Sequence, residues 1–149
     1  MAAVQVFAEG DAGEYERLLA QAAEAALAHQ NVGDGSSLTI VLSDDAQLRE
    51  LNQKYRGIDE PTDVLSFPAD ETDPESGAPY LGDVLISRER AIAQAAEGGH
   101  SLQEELQLLA VHAVLHLLGH DHAGEEDKAA MWAAQGEILQ RLGNRLSPL

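Results

Sequence analysis

The sequence predicts an α+β fold, a single compact domain in which a small mixed β-sheet of about four strands packs with about five helices. Three observations carry this. Apolar residues alternate in short runs and recur at helical spacing in longer ones, so strands and helices share the chain. The first runs read strand, helix, strand. Neither a repeat nor a linker interrupts the 149 residues, a length that suits one core burying roughly two thirds of the unfolded surface.

Ala3 to Phe7 alternates enough for a first strand, and Gly10 and Gly13 mark a turn. Tyr15, Leu18, Leu19, Ala22, Ala23 and Ala26 then repeat as one helical stripe. Asn31, Gly33, Asp34 and Gly35 break that helix, and Leu38, Ile40 and Leu42 alternate with Thr39, Val41 and Ser43 as a second strand. A second helix runs from about Asp44 to Arg56, with Asp44 and Gln47 as a capping pair, Leu48, Leu51 and Tyr55 on one face, and Gly57 as its stop. Val64 to Phe67 reads as a strand closed by Pro68, and Asp83 to Ser87 as another. The acidic stretch between them, ADETDPESGAP, is expected to be an exposed loop. A short alanine-rich helix ends at Gly98-Gly99. Ser101 and Glu104 make a capping box for a helix reaching about Leu118, and a last helix runs from about Glu125 to Leu142 and stops at Gly143.

Composition narrows the function. The chain has no cysteine, so any metal must be bound through nitrogen and oxygen. No apolar run approaches the roughly 18 residues of a membrane span, and the start lacks the basic and apolar regions of a secretory signal, so a cytoplasmic protein is expected. A net charge of −17 repels nucleic acid on average. Five of the nine basic residues nevertheless fall in two short segments, Arg49, Lys54 and Arg56 in one and Arg88 and Arg90 in the other.

Four of the six histidines lie in the stretch HAVLHLLGHDH, from His112 to His122. His112 and His116 are one helical turn apart on one face, able to point at a common ion. Gly119 can take the left-handed conformation that ends a helix and folds the chain back, which makes His122 the natural third ligand and His120 its rival. Three imidazoles suit one zinc ion, although nickel, copper or iron fits the same donors, and a fourth position left open marks a catalytic site. Asp121 is placed to orient an imidazole. The spacing matches the metalloprotease pattern H-E-x-x-H-x-x-G-x-x-H except at Ala113, where the general base of peptide hydrolysis is missing.

Three stretches carry a longer pattern that includes this one: LNQKYRGIDEPTDVLSFP from Leu51, LGDVLIS from Leu81, and HSLQEELQLLAVHAVLHLLGHDH from His100. With these in order the chain resembles the YbeY family of bacterial single-strand-specific endoribonucleases, also called ribosomal RNA maturation factors. Ala113 stands where the family commonly has glycine, a small-for-small change. The resemblance implies cleavage of single-stranded RNA in maturation of the small-subunit ribosomal RNA and in ribosome quality control. It also implies metal ligation by His112, His116 and His122, and a functional role for Arg56. From the residues alone, Arg56 reads equally as a phosphate-binding guanidinium or as a helix C-terminal cation worth about 0.3–1 kcal/mol. Asp59, Pro61, Thr62 and Asp63 read as a turn without chemistry, and His100 and Glu105 as a helix entry and a helix face outside the site. No general base is evident, which leaves a metal-activated water, an RNA 2′-hydroxyl or a carboxylate distant in sequence. Two rivals remain: a non-catalytic ribosome-assembly factor with a structural zinc, and a zinc-dependent hydrolase of peptides or small molecules. The acidity suits docking on a basic ribosomal protein or a ribosome-associated GTPase.

Overall fold

Strands β1 (Ala3–Ala8), β2 (Ser37–Ser43), β3 (Val64–Thr72) and β4 (Pro79–Ser87) form one sheet in the order β1-β2-β4-β3. β1 and β4 run parallel to β2, and β3 pairs antiparallel with β4 at the edge, so the sheet is mixed as expected. Five helices accompany it: α1 (Glu16–His29), α2 (Asp45–Arg56), α3 (Arg88–Gly98), α4 (Leu102–Leu117) and α5 (Glu125–Arg141). This computed structural model describes residues 3–8, 12–32, 35–72, 79–120, 124–144 and 146.

The period of two in β2 and β4 divides the molecule into layers. Leu38, Ile40, Leu42, Val84 and Ile86 join the main core with α1, α4 and α5, while Leu65 and Leu85 pack with Leu48 of α2 in a smaller cluster. Each Leu or Ile fully buried in these layers contributes about 1.5–3 kcal/mol. On α1, Leu19, Ala22, Ala23 and Ala26 are buried as the stripe requires. The face of α2 behaves differently along its length: Leu48 is buried, but Tyr55 is 60% exposed with its ring edge-on to Phe67.

The capping chemistry is where the sequence places it. The Asp44 side chain accepts from Gln47 N, Gly57 ends α2 at φ +72°, and Ser101 and Glu104 form both bonds of a capping box at the start of α4. The expected loop between β3 and β4 is shorter than its composition suggests. β3 continues through Pro68 to Thr72 and β4 begins at Pro79, so only residues 73–78 lie outside the described ones. Pro68 does not close the strand: β3 is an edge strand, where proline is tolerated, and its register shifts just after, between Pro68 and Glu71. Opposite Pro68, Gly82 has φ +140°, and a Cβ there would stand 2.3 Å from Phe67 O, so this close pairing needs a glycine.

Candidate active site

Helix α4 carries the centre of the site. Nine of its sixteen residues are buried, so the helix is covered nearly all round, and the row Leu108, His112, His116 stays half-open at four-residue spacing. Gly119 at φ +97° ends the helix in a Schellman motif: Gly119 N donates to His116 O at 3.0 Å and His120 N to Leu115 O at 3.0 Å. The left-handed glycine expected from the sequence is therefore present.

The rings of His112 and His116 meet edge to face at 77°, and their Nε2 atoms stand 3.1 Å apart. Two nitrogens bound at about 2.0–2.1 Å to one tetrahedral zinc are about 3.3 Å apart, so this separation fits a shared ion. The other ring nitrogen of His112 supports that fit. Nδ1–H donates to Gln135 Oε1 on α5 at 3.0 Å, which puts the proton on Nδ1 and leaves the Nε2 lone pair for a ligand. Gln135 is 3% exposed, and the Trp132 ring one turn earlier on α5 lies 6.2 Å from the His112 ring.

Among the described residues no group of three His, Cys, Asp or Glu side chains is arranged to hold a metal. The third expected ligand, His122, and Asp121 both lie outside the described residues. Two other histidines are engaged elsewhere. His120 Nε2 is 2.7 Å from Gln30 Oε1, and His29 Nε2 is 2.6 Å from Glu137 Oε2.

Arg56 joins the histidines. It lines, with Thr62, Asp63, Ser66, His112 and His116, a cavity of about 350 Å³. Arg56 borders the same space as two candidate ligands from the last turn of α2, and no hydrogen bond or ion pair ties it to another described residue. Its neighbours are spent differently. Arg49 grips Asp59 with Nε at 2.8 Å and Nη2 at 3.3 Å, a fork that holds the Asp59 carboxyl below its ordinary range, first by hydrogen bonding and then by charge. Buried Asn52 donates from Nδ2 to Glu60 O at 3.0 Å. Together these two contacts bind the turn after Arg56 back onto α2.

Three residues given no chemistry from sequence stand close to the histidine pair. Asp63, read as a turn residue, lines the cavity of Arg56 and His112, with its carbonyl held by Ser87 N at 2.9 Å. His100 and Glu105, read as outside the site, line a neighbouring cavity that shares His112 and Asp63 with the first, and His100 Nε2–H donates to Glu105 Oε1 at 2.6 Å. Gln135 had no sequence signal beyond its place on the α5 face. For Asp63, the acidic residue of PTDVLSFP before a strand was a signal that turn propensity explained away.

Known proteins show the same pattern at larger scale. The family described as Endoribonuclease YbeY matches residues 4–143. Curated relatives named Endoribonuclease YbeY include one from Pelotomaculum thermopropionicum, 48% identical over 128 residues with 84% of each chain covered. Another, from Geobacillus kaustophilus, is 48% identical over 135 residues, covering 86% of this chain and 84% of the relative. A solution structure from Thermotoga maritima superposes with a TM-score of 0.59 at 26% identity, covering 94% of this chain and 91% of that one. With a match running through the sheet, the arginine turn and the histidine helix alike, the chain belongs to the Endoribonuclease YbeY family.

Proposed function

We propose that this protein is a metal-dependent endoribonuclease that cuts single-stranded RNA in the maturation of small-subunit ribosomal RNA and in ribosome quality control, working in the cytoplasm. The observation that carries the reading is the shared cavity in which the paired His112 and His116 nitrogens stand with Arg56. His112, His116 and His122 would hold one divalent ion, zinc being the best match to an all-imidazole donor set. Such an ion, when bound, supplies Lewis acidity and lowers the pKa of water.

The chain's own residues do the rest. The Arg56 guanidinium pairs with two oxygens of the scissile phosphate and neutralises the charge that builds there, a role worth about 10²–10³-fold in rate for a single donor. Gln135 keeps the His112 ring in one tautomer and one orientation. The Asp63 carboxylate, on the wall of the same cavity, is the acceptor we assign to the proton of the attacking hydroxyl. Ala113, 1% exposed beside the histidines, offers no base of the metalloprotease kind, which argues against peptide hydrolysis. Docking on a basic ribosomal protein or a ribosome-associated GTPase suits the charge of −17.

The test is cleavage of a single-stranded RNA by His116→Ala and Arg56→Glu. Each variant is expected to lose at least about 10²-fold in rate while keeping its thermal stability. If both cut like the parent, the proposed site is wrong.

A further inference from the structure

The second cavity, about 480 Å³, is lined by Trp132 and shares Asp63 and His112 with the first. Its volume is that of a small-ligand site, within the range of about 300–1,000 Å³. Its walls are of two kinds. Leu108, Leu109 and Trp132 give apolar surface, one of them an aromatic ring, while His100, Glu105 and Asp63 give polar atoms.

Glu105 is the informative residue. It sits in the first turn of α4, only 5% exposed, and a carboxylate so buried is costly unless its oxygens are bonded. His100 satisfies Oε1 at 2.6 Å. Oε1 alone meets His100, and the Glu105 side chain lines a ligand-sized space. An apolar slot with an aromatic side and an acceptor at its end is the recognition chemistry of an unstacked nucleobase, whose amino group donates to a carboxylate.

Position supports the same occupant. Asp63 and His112 belong to both cavities, so a ligand here is the immediate neighbour of whatever phosphate Arg56 holds. We infer that this cavity is a nucleobase subsite, taking the unstacked base next to the scissile bond and preferring one that carries an exocyclic amino group, with Glu105 as acceptor and His100 as its positioning partner. The inference rests on the ribonuclease reading. It adds a physical reason for acting on single strands, since a base in a duplex cannot enter the slot.

Trp132 is the only tryptophan in the chain and provides the readout. The full chain is titrated with three uncleavable probes: a 2′-O-methyl hexacytidylate, a 2′-O-methyl hexauridylate, and a hexameric sugar-phosphate strand without bases. Binding is followed by anisotropy of end-labelled strands, and Trp132 emission is recorded with unlabelled ones. The cytidylate is expected to bind about fivefold or more tighter than the uridylate, the discrimination of one good polar contact, and to quench Trp132. The abasic strand is expected to bind weakly without quenching, and Glu105→Gln to abolish the preference for cytidine. Binding of all three strands with unchanged Trp132 emission, or equal affinity for cytidylate and uridylate on the parent protein, overturns the subsite and leaves the nuclease reading standing. Failure of every strand to bind overturns both. The comparison on the parent protein does not depend on the folding of Glu105→Gln.

Discussion

Replacing Gln135 by Leu removes one hydrogen-bond acceptor at nearly constant volume, in a buried position of α5 that among the described residues bonds the proposed centre through His112. The bond lost is 3.0 Å long, between neutral groups, and worth about 0.5–1.5 kcal/mol to folding. Metal affinity responds more strongly. Without the amide oxygen the imidazole can move its proton to Nε2 and rotate, and loss of such a partner costs about 10–100-fold in affinity, or about 1.4–2.8 kcal/mol. Zinc dissociation constants from competition with a chelator, beside thermal unfolding of the metal-free protein, separate the two quantities. Affinity should fall by that factor with unfolding shifted little, and Gln135→Glu, which keeps an acceptor, should retain parental affinity. An unchanged zinc affinity in folded Gln135→Leu refutes ligation through His112 Nε2 as oriented here.

Other perturbations test other links. Ser101→Ala removes the cap of α4, since Ser101 Oγ accepts from Glu104 N at 3.1 Å; it should cost about 1 kcal/mol, a fall of about 2–4 °C in Tm, with zinc affinity preserved. Asp63→Asn should lower RNA cleavage about 10²-fold or more while zinc affinity and Tm stay parental, and full activity would remove Asp63 from the chemistry. Because Arg49 lowers the Asp59 pKa in the folded state, the pair stabilises the fold above the ordinary carboxylate pKa of about 3.9, and that contribution is lost as pH falls through the lowered value. The difference in urea midpoint between parent and Asp59→Asn should therefore be present at neutral pH, vanish in acid, and shrink in about 1 M salt, since both side chains are exposed.

What could be read from sequence follows a physical division. Elements were legible where one local rule decided the outcome: the capping box at Ser101, the left-handed Gly57 and Gly119, and the alternation in β2 all hold. Pro68 misled because whether proline ends a strand depends on the strand's place in the sheet, which no local window contains. The same holds for the site. His112 and His116 share a helix face, so spacing alone pairs them, whereas Asp63, Glu105 and Gln135 reach them only through the packing of a turn, a helix start and α5 around α4. Contacts made across many residues of chain leave no periodic signal.

The electrostatics explain how so acidic a chain can still handle RNA. Of the five clustered basic residues, Arg49 is committed to Asp59 and Arg90 lies 3.5 Å from Asp45, so neither is a free phosphate contact. Lys54 stands 5.2 Å from the exposed Tyr55 ring, next to Arg56 on the open end of α2. Lys54 and Arg56 thus leave positive charge at one helix end, where Arg56 lines the cavity of the histidine pair. A local charge of that kind positions one phosphate, while the surrounding field of −17 disfavours loose binding elsewhere. On the nuclease reading, affinity must then come from the few contacts at the cut itself, which favours a bent or unpaired strand that can bring a base and a phosphate into adjoining cavities. A protein built this way gains selectivity by repelling what it does not cut.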